Sequence, residues 1–385
     1  MICNSDYSTP RRTIYGLNSI EKLKDELDNL NKNILYITYK NNEQYMPFHS
    51  KILDILKSTS NKIFIFDKAE VEPSIQNIDK AAEYARENNI EIIVAVGGGS
   101  VIDLGKAVSI LLTNPGSIRK YQMGEKEIKN KGIDIIAIPT TSGTGAEATK
   151  VAVITNKEEN IKKSILHPYL VPYLVILDPN LTKTLPSKLT ALTGIDALSH
   201  AIEAYTSTLE VPFANAVAIE AIELIGKNLV ECYRNPDNLD ARLGMLLASY
   251  LGGMSLIASV GAAHRLAQPI STKTGLTHSE AVSVVLINVM KINREYCKEK
   301  FRDIASVLGV DICKMDLDSA SKMAIDVVEE IYKNLEIKPG FSNYNVSADK
   351  FSSIIENANR TTSHLIYNPR PLNDEILQEI LEMSK

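Results

Sequence analysis

The stretch EIIVAVGGGSVIDLGKAV, residues 91–108, joins a run of apolar and β-branched residues to three consecutive glycines and then to a helical pattern. The apolar run predicts a buried strand, and Ser100 and Asp103 suit the first turn of the helix that follows. Backbone amides at such a helix start bind anionic phosphate, and glycines let a diphosphate come close. The spacing is neither GxGxxG nor a Walker loop, so a tight turn without a ligand stays an alternative.

Similar β-rich runs lie on both sides of this stretch and alternate with helical patterns. This alternation predicts a parallel sheet wrapped by helices. Residues 75–89 have the apolar spacing of a helix and precede the run at 91–96, as a crossover helix does. The predicted strands are NILYIT (33–38), KIFIF (62–66), EIIVAV (91–96), DIIAIP (134–139) and LVILDP (174–179).

A second glycine cluster, IPTTSGTGAEAT at 138–149, follows another β-rich run. Its hydroxyl and glycine amide groups suit the phosphate, ribose and amide groups of a dinucleotide that lies across the carboxyl ends of the strands. A loop of this composition is often only a loop. Two such loops after successive strands favour the cofactor interpretation.

Beyond about Leu189 the strand signals end, and long apolar-periodic segments rich in Ala, Leu, Ile and Met follow. They predict an all-helical second domain. Proline and turn-forming residues in DPNLTKTLPSK (178–188) separate the two patterns, so we expect domains at 1–186 and 187–385. The helical segments are 215–233, 241–259 and 279–297.

The composition is that of a globular protein, with 44% hydrophobic and 23% charged residues among 385. A net charge of -5 and a pI near 5.8 argue against nucleic acid as a partner. We find no apolar run near the roughly 18 residues of a membrane span, and the start of the chain lacks the apolar core of a secretory signal. We therefore expect a cytoplasmic protein without a membrane partner. The four cysteines have neither CxxC spacing nor the density of a disulfide scaffold, so they are not expected to carry the chemistry.

The segment GIDALSHAIEAY, residues 194–205, places Asp196 and His200 four residues apart, on one face of a predicted helix among apolar residues. A charge buried there without a partner is costly. His264 in GAAHRLAQP and His278 in TGLTHSEAV lie in the same helical half. One carboxylate and three imidazoles suit zinc or ferrous iron. A helix ion pair and satisfied core histidines are the structural alternative.

Taken together, these motifs resemble the iron-dependent (group III) alcohol dehydrogenases over nearly the whole chain. The resemblance rests on GGGSVIDLGKA, IPTTSGTGAEAT, LDPNLTKTLP, GIDALSHAIEAYTS, the GAAH and LTHSE segments and NPRPL (368–372). It implies a dehydroquinate synthase-like two-domain fold, with an α/β N-terminal dinucleotide-binding domain, an all-α C-terminal domain and an active site in the cleft between them. The implied enzyme is a homodimer that transfers a hydride between NAD or NADP and an alcohol or aldehyde.

The resemblance also carries over individual residues. The implied ligands of one divalent metal, Fe²⁺ or Zn²⁺, are Asp196, His200, His264 and His278. The residues implied at the cofactor are Tyr39, Gly98, Gly99, Ser100, Asp103, Thr140, Thr141, Thr144, Lys163 and Leu181. The implied catalytic residues are His264 and Gln268. The metal lowers the pKa of an alcohol oxygen or polarises a carbonyl, so no covalent nucleophile is needed.

The sequence departs from the family pattern at two places near the implied ligands. Many relatives have HxxxH where this chain has His264 and then Gln268. Gln268 forms hydrogen bonds but does not titrate near neutral pH, so a proton must leave through water, a ribose hydroxyl or another side chain. Ser279 and Glu280 follow His278, and this HSEAV is similar to the HGEAV of the dehydroquinate synthases.

Two alternative functions stay open on sequence grounds. A dehydroquinate synthase-like lyase would keep the fold, NAD and the metal, but GIDALSHAIEAYTS belongs to the alcohol dehydrogenase pattern. A non-catalytic binding protein of the same fold would need a defective metal site, and four intact ligands argue against that.

Tyr39 bears on cofactor choice, because it follows NILYIT where NAD-preferring relatives often present an acidic residue to the adenosine ribose. Without that carboxylate NADP is permitted. A surface tyrosine without a role is the alternative. Arg265 and Lys273 favour an anionic or sugar-derived aldehyde as the substrate, although basic side chains are commonly just exposed.

Overall fold

The computed structural model describes residues 7–40, 46–362 and 365–385, and these residues form two compact units. The first, which we call the sheet unit, contains Ser8–Pro186 and Pro236–Leu246. The second, which we call the helical unit, contains Ser187–Asn235 and Leu247–Lys385 together with Tyr7.

The sheet unit alternates strands and helices along the chain, as the sequence predicts. Its strands are β1 (Arg12–Tyr15), β2 (Asn33–Ile37), β3 (Lys62–Phe66), β4 (Ile92–Gly97), β5 (Asp134–Pro139), β6 (Val151–Asn156), β7 (Ile161–Leu166) and β8 (Leu174–Leu177). Its α-helices are α1 (Lys22–Leu27), α2 (His49–Lys57), α3 (Ile75–Glu87), α4 (Gly99–Thr113) and α5 (Ile118–Gln122).

Six of these strands form one parallel sheet in the order β1-β8-β5-β4-β2-β3, and β6 and β7 form a separate antiparallel hairpin. The chain passes from β2 outward to β3 and then returns to β4 on the other side of β2. The winding direction therefore reverses between β2 and β4. In open parallel sheets, ligands bind outside the carboxyl ends of the strands at such a reversal.

Both faces of the sheet are buried, which is why its central strands read as continuous apolar runs. Leu35 and Ile37 of β2 point into a core formed with α3 and α4. Ile34 and Tyr36 point into a second core formed with α1 and α2. The five strands predicted from the sequence are all present, and the structure adds β1 and the hairpin of β6 and β7.

The helical unit contains no β-strand in its described residues, which confirms the predicted fold class. Cys232, Cys297 and Cys313 are free thiols, and Cys3 lies outside the described residues. The first residues of α8 belong to the sheet unit. The helices are α6 (Ser187–Thr206), α7 (Pro212–Arg234), α8 (Leu239–Ser255), α9 (Ala262–Thr274), α10 (His278–Arg294), α11 (Lys298–Val307), α12 (Leu317–Asn334), α13 (Phe351–Thr361) and α14 (Asp374–Met383).

α6 is buried on all sides from residue 190 to residue 204. A Cβ on Gly194 would lie 2.1 Å from Leu229 Cδ1 of α7, so a residue without a side chain is required where these two helices meet. A helix with no exposed face has no solvent-facing position for a charged residue. The charged and imidazole side chains at residues 190–204 must therefore find their partners inside the protein.

One stretch of the described residues, Leu239–Ala258, is long and apolar enough to cross a membrane by length and composition alone. Its mean hydropathy is 1.3, and 61% of it is buried inside the protein, as in a core helix. The statement from sequence that no apolar run approaches this length is therefore corrected. Asp240 and Arg242 interrupt the beginning of the stretch, so it does not read as one unbroken apolar run.

Candidate functional site

Three loops meet at the carboxyl edge of the parallel sheet, after the neighbouring strands β2, β4 and β5. Tyr39 follows β2, the glycine turn of residues 97–99 follows β4, and the threonine loop of residues 140–149 follows β5. The N–H of Thr140 donates to the carbonyl of Gly97 at 3.0 Å, so the last two loops are in direct contact. The structure thus brings together the three segments that the sequence assigned to a cofactor.

The glycines of the turn are required by the threonine loop beside them. A Cβ on Gly98 would lie 3.2 Å from Thr141 Oγ1, and a Cβ on Gly99 would lie 2.5 Å from Thr144 Oγ1. α4 begins at Gly99 without a side-chain cap, and the N–H of Val101 donates to the carbonyl of Gly98 at 3.0 Å, so Gly99 and Ser100 are the residues of its first turn whose N–H groups suit an anion. The close packing of the two loops and the uncapped helix start agree with a phosphate-binding turn.

Tyr39 is packed against the glycine turn. Its ring carbon Cε2 would lie 3.3 Å from a Cβ on Gly97, and its hydroxyl oxygen 3.7 Å from a Cβ on Gly98. Burial raises the pKa of Tyr39, and a hydrogen bond with Ser100 opposes that shift. The alternative of a surface tyrosine without contacts therefore does not hold, whereas its part in cofactor choice stays a prediction.

Lys162, which the sequence did not single out, pairs with Glu72, and Glu72 contacts Ser100 directly after the glycine turn. Ser100 Oγ accepts from the backbone N–H of Glu72 at 2.9 Å, and the Glu72 carboxylate pairs with Lys162. Lys162 is buried, and Lys163 points to the opposite face of β7 because side chains alternate along a strand. The role of Lys163 stays a prediction. The sequence signal was a pair of lysines, which does not tell which of them is buried.

The side chain of Lys106 in α4 is fully buried and forms hydrogen bonds with the end of the threonine loop. Its Nζ donates at 2.5, 2.9 and 2.8 Å to the carbonyls of Ala146, Thr149 and Val151. Burial lowers the pKa of Lys106 to about 8, and the neighbouring carboxylates of Asp103 and Glu147 oppose the shift. These bonds hold the end of the threonine loop, whose first residue, Thr140, donates to Gly97 of the glycine turn.

Asp103 and Leu181, both predicted to lie near the cofactor, have their contacts in the interior of the sheet unit. The Asp103 carboxylate accepts from the N–H of Val153 at 3.0 Å and lies 3.8 Å from Lys106 Nζ. Burial raises the pKa of Asp103 to about 6. Leu181 is 3% exposed and packs in the core on the face of the sheet that α1 and α2 cover. Their part in cofactor binding stays a prediction.

Asp196, His200 and His264 form a buried cluster in the helical unit. α6 supplies Asp196 and His200 one turn apart, and the first turn of α9 supplies His264. One ligand atom from each residue lies within 4.8 Å of those of the other two. The rings of His200 and His264 stack with their centroids 4.3 Å apart. A carboxylate and two imidazoles at this separation are a donor set that divalent transition metals prefer.

His278 is the first residue of α10 and adjoins the cluster. Its Nε2 lies 3.6 Å from Asp196 Oδ1, although it falls outside the tight group of three ligand atoms. Thr277 and Glu280 form a capping box that starts α10 at this point. Glu280 Oε1 also pairs with Lys188 of α6 at 3.1 Å. The departure from the family pattern after His278 therefore supplies a carboxylate that fixes the start of its helix.

The buried atoms of the cluster fit a cation. In the described part of the chain, neither carboxylate oxygen of Asp196 has a hydrogen-bond partner, and His264 Nε2 has none either. Burial, together with the nearby Glu203 carboxylate, raises the pKa of Asp196 to about 7, and burial lowers the pKa of His264 to about 3. A divalent cation offsets both costs because it attracts the carboxylate and the imidazole lone pair.

Glu203 is a further buried ionisable residue of α6 that the sequence analysis missed. Its Oε1 accepts from the N–H of Ala263 at 2.6 Å, and its Oε2 lies 2.6 Å from His264 Nδ1. Burial raises the pKa of Glu203 to about 7, and its hydrogen bonds to backbone N–H groups oppose this shift. The signal in the sequence was its spacing, because it lies three residues after His200 and seven after Asp196, on the same helical face.

Two polar residues of α9 lie in different settings. Gln268 is half-buried one turn after His264. The guanidinium of Arg265 donates to Asn359 Oδ1 at 3.1 Å and to the carbonyl of Leu365 at 3.5 Å. These bonds attach Arg265 to the end of α13 and the residues after it. Its predicted contact with an anionic substrate therefore loses support.

Comparison with known proteins gives matches over both halves of the chain. Residues 10–179 match the family model described as iron-containing alcohol dehydrogenase, and residues 190–384 match the model of the C-terminal part of this family. A choline dehydrogenase from Bacillus subtilis (strain 168) is 34% identical over 327 residues, which are 84% of this chain and 81% of the relative.

Two solved structures are similar over the full length. The crystal structure of a 1,3-propanediol oxidoreductase superimposes with a TM-score of 0.94 at 31% identity, and the match covers 100% of both chains. A sulfoacetaldehyde reductase from Bifidobacterium kashiwanohense, solved in complex with NAD+, superimposes with a TM-score of 0.87 at 27% identity and covers 99% of this chain and 98% of its own.

These matches make the protein an enzyme of the oxidoreductase class. More particularly, the chain belongs to the iron-containing alcohol dehydrogenases. The predicted family, fold and type of reaction are confirmed, and an alcohol or aldehyde oxidoreductase fits the relatives better than a dehydroquinate synthase-like lyase or a non-catalytic binding protein. The assignment of individual ligand and cofactor residues stays a prediction.

Proposed function

We propose that the protein transfers a hydride between a nicotinamide cofactor and a small alcohol or aldehyde at one divalent metal. The ligands in this proposal are Asp196, His200, His264 and His278. The observation that supports it most strongly is the buried Asp196 carboxylate, whose oxygens have no hydrogen-bond partner in the described residues while histidine rings approach it. When bound, Fe²⁺ or Zn²⁺ supplies Lewis acidity, which lowers the pKa of an alcohol oxygen and polarises a carbonyl.

Other residues have separate roles in this proposal. The start of α4 binds the cofactor diphosphate through the backbone N–H groups of Gly99 and Ser100, and the threonine loop binds the remaining polar groups. The Gln268 amide orients the substrate or the nicotinamide without titrating. The proton leaves through water, a ribose hydroxyl or another side chain. Further cofactor positions in the proposal are Tyr39, Gly98, Asp103, Thr140, Thr141, Thr144, Lys163 and Leu181.

The cofactor is NAD, which the NAD+ complex of a relative supports, and Tyr39 in place of an acidic residue supports the use of NADP as well. An anionic or sugar-derived aldehyde is the proposed substrate, and Lys273 is the basic residue that supports it, since Arg265 bonds to Asn359 and Leu365. A homodimer, a cytoplasmic location and a domain boundary between residues 186 and 187 complete the proposal.

The test is a turnover screen with NAD(H) and NADP(H) against neutral and anionic alcohols and aldehydes, before and after the metal-free protein is loaded with Fe²⁺ or Zn²⁺. We expect turnover after loading and almost none before it. Equal turnover by chelator-treated protein would exclude the role of the metal. A fully loaded protein that turns over none of these pairs would support the non-catalytic alternative.

A variant of the implied ligand His278 tests the metal site directly. We expect His278→Ala to lower the metal content and to reduce turnover by at least about 100-fold, because even the partners behind metal ligands contribute roughly 10–100-fold. The fold should persist, since Thr277 and Glu280 still start α10. Metal content is measured by elemental analysis, with His167→Ala as the control, because His167 caps a short helix in the sheet unit. Full metal occupancy and activity in His278→Ala would rule out the assignment.

A further inference from the structure

We propose that Glu203 is a positioning residue that fixes the orientation and the tautomer of His264, so that the Nε2 lone pair of His264 faces Asp196 and His200. The inference rests on the metal site of the proposed function, but it concerns a residue outside the proposed ligand set.

The surroundings of Glu203 contain donors that only an acceptor can satisfy. The start of α9 presents to it the N–H groups of Gly261, Ala263 and His264. An ionised carboxylate has acceptors at both oxygens and no donor. Because Nδ1 of His264 lies 2.6 Å from Glu203 Oε2, Nδ1 carries the hydrogen and donates it. The other ring nitrogen, Nε2, is then the one with the free electron pair.

The Nε2 edge of the same ring faces the cluster. Nε2 of His264 lies 3.8 Å from Asp196 Oδ1, and it has no hydrogen-bond partner in the described residues. One face of the His264 ring stacks on the ring of His200, with 25° between the ring planes. One edge of the imidazole is therefore fixed by Glu203, and the opposite edge offers an electron pair where a cation fits. Carboxylates behind metal-bound histidines commonly have this role.

The residues around the start of α9 keep the Glu203 carboxylate in place. A Cβ on Gly261 would lie 2.6 Å from Asn368 Oδ1 and 3.1 Å from Glu203 Oε1, so the glycine of the GAAH motif makes room for both side chains. Asn368 accepts from the N–H of Ala262 at 3.1 Å and exchanges two hydrogen bonds with Asn293. Parts of three motifs, HAIEAY, GAAH and NPRPL, therefore meet at this helix start.

Glu203→Gln separates helix capping from positioning. With its amide oxygen toward Ala263, the glutamine still caps α9, but its NH₂ group faces His264 Nδ1 and favours the tautomer with hydrogen on Nε2. With the amide reversed, the glutamine serves His264 but opposes the N–H of Ala263. A capping role alone therefore predicts a variant that binds metal as the parent does. A positioning role predicts weaker metal binding in a folded protein.

The first measurement is the affinity of the metal-free proteins for Zn²⁺, by competition with a chromophoric chelator at one fixed pH of about 8, at which free carboxyl groups are ionised. We expect Glu203→Gln to bind Zn²⁺ about 10–100-fold more weakly than the parent. Glu223→Gln, the same change at an exposed ion pair with Lys227 on α7, is the control and should match the parent. Equal affinity of Glu203→Gln and the parent would overturn the inference.

The second measurement reads the tautomer of His264 in the metal-free protein, from the ring nitrogen NMR shifts of isotope-labelled histidine. The signals are assigned by their loss in His264→Asn. We expect hydrogen on Nδ1 in the parent and on Nε2 in a substantial fraction of Glu203→Gln, and an unchanged tautomer would overturn the inference. If Glu203→Gln does not fold, the parent alone decides the question, because hydrogen on Nδ1 of His264 supports the inference and hydrogen on Nε2 overturns it. A parent that binds no Zn²⁺ would contradict the proposed function, whereas the tautomer measurement still decides the role of Glu203.

Discussion

Asp196, Glu203 and Lys106 are charged residues with almost no exposure to solvent, and each meets the cost of burial differently. Lys106 donates to three backbone carbonyls, and Glu203 accepts from the start of a helix. Asp196 has no hydrogen-bond partner in the described residues. Since an unpaired buried charge is strongly unfavourable, Asp196 is the residue that calls for an external partner. The pattern of hydrogen bonds thus separates the proposed metal ligand Asp196 from the two buried charges that are paired within the protein.

The contact of Tyr39 with the glycine turn makes cofactor choice testable with one substitution. Tyr39→Asp should shift the ratio of catalytic efficiencies toward NAD by about tenfold or more, because a carboxylate accepts from the ribose hydroxyls and repels a phosphate by roughly 1–4 kcal/mol at 4 Å. The ratio of kcat/KM for NAD and NADP is the measurement. Tyr39→Phe, which keeps the ring, is the control and should stay near the parent. An unchanged ratio in Tyr39→Asp would show that residue 39 is not at the ribose.

At the scale of secondary-structure elements, the helix ends and helix contacts set the positions of the cluster residues. His264 lies in the first turn of α9, and His278 is the first residue of α10. A carboxylate fixes the start of each helix, that of Glu203 for α9 and that of Glu280 for α10. The other two members share α6, whose distance from α7 is set by Gly194. Small shifts of these helices therefore move the cluster residues relative to one another.

The contact between α6 and α7 predicts different outcomes for two glycine substitutions. Gly194→Ala should destabilise the protein by about 1–3 kcal/mol, because the new Cβ overlaps Leu229 and the helices must separate. Gly252→Ala in α8 should be neutral or stabilising by up to about 1 kcal/mol, because its Cβ would meet nothing closer than 3.5 Å and alanine favours the helix. Urea unfolding of both variants is the measurement. Equal effects of the two substitutions would show that α6 and α7 have room to adjust.

At the scale of the whole molecule, each unit contains its own buried polar centre. In the sheet unit it is Lys106 with Asp103 and Glu147, and in the helical unit it is the cluster around Asp196. The family models match residues 10–179 and 190–384 separately. The polar centre of the sheet unit supports the threonine loop, whereas that of the helical unit fits a metal. We therefore expect stability and the proposed metal binding to depend on different groups.

The centre around Lys106 predicts a pH-dependent loss of stability. Burial raises the pKa of Asp103 to about 6 and that of Glu147 to about 7, and Lys106 lowers both pKa values. Because the pKa values of these two carboxyl groups are higher in the folded than in the unfolded protein, the folded state binds their protons more tightly. The stability that this gives at low pH is lost as the pH rises through about 6 to 7. Lys106→Met raises both pKa values further, so its cost, about 3–5 kcal/mol at pH 8, should be smaller at pH 5.

The measurement is the free energy of urea unfolding of Lys106→Met and its parent at the two pH values. Lys131→Met, at a side chain that is 67% exposed, is the control and should change stability little at either pH. An equal loss at both pH values would mean that Lys106 acts through its carbonyl partners and not through the carboxylates.

Most of the sheet could be predicted from the sequence, because strands buried on both faces read as apolar runs. β1 could not, because its four residues RTIY are partly exposed and pair with β8, far along the chain. The hairpin of β6 and β7 was missed because its strands are partly polar and the connection KEEN (157–160) lacks a tight-turn signal.

The candidate site was predicted by residue type and spacing more than by partners. Asp196 and the three histidines stood out because such residues are rare among apolar neighbours. Glu203 did not, since a glutamate in a helix is usually exposed and its partner α9 is distant in sequence. Lys162 was missed for a similar reason, because the face of β7 that is buried depends on the loop around Glu72. The sequence alone therefore does not identify the helix or loop that packs against Glu203 or Lys162.

β3 is an outer strand of the sheet, and its sequence KIFIF combines high β-propensity with one charge at its start. A short apolar strand of this kind pairs readily with a copy of itself once it separates from its neighbour, and the lysine hinders this pairing while the sheet is intact. Because the edge of a sheet loosens more easily than its centre, we expect copies of this segment from different molecules to associate on heating. At high concentration, we therefore expect the lifetime of the enzyme on heating to follow the rate of aggregation and not the equilibrium between folded and unfolded chains.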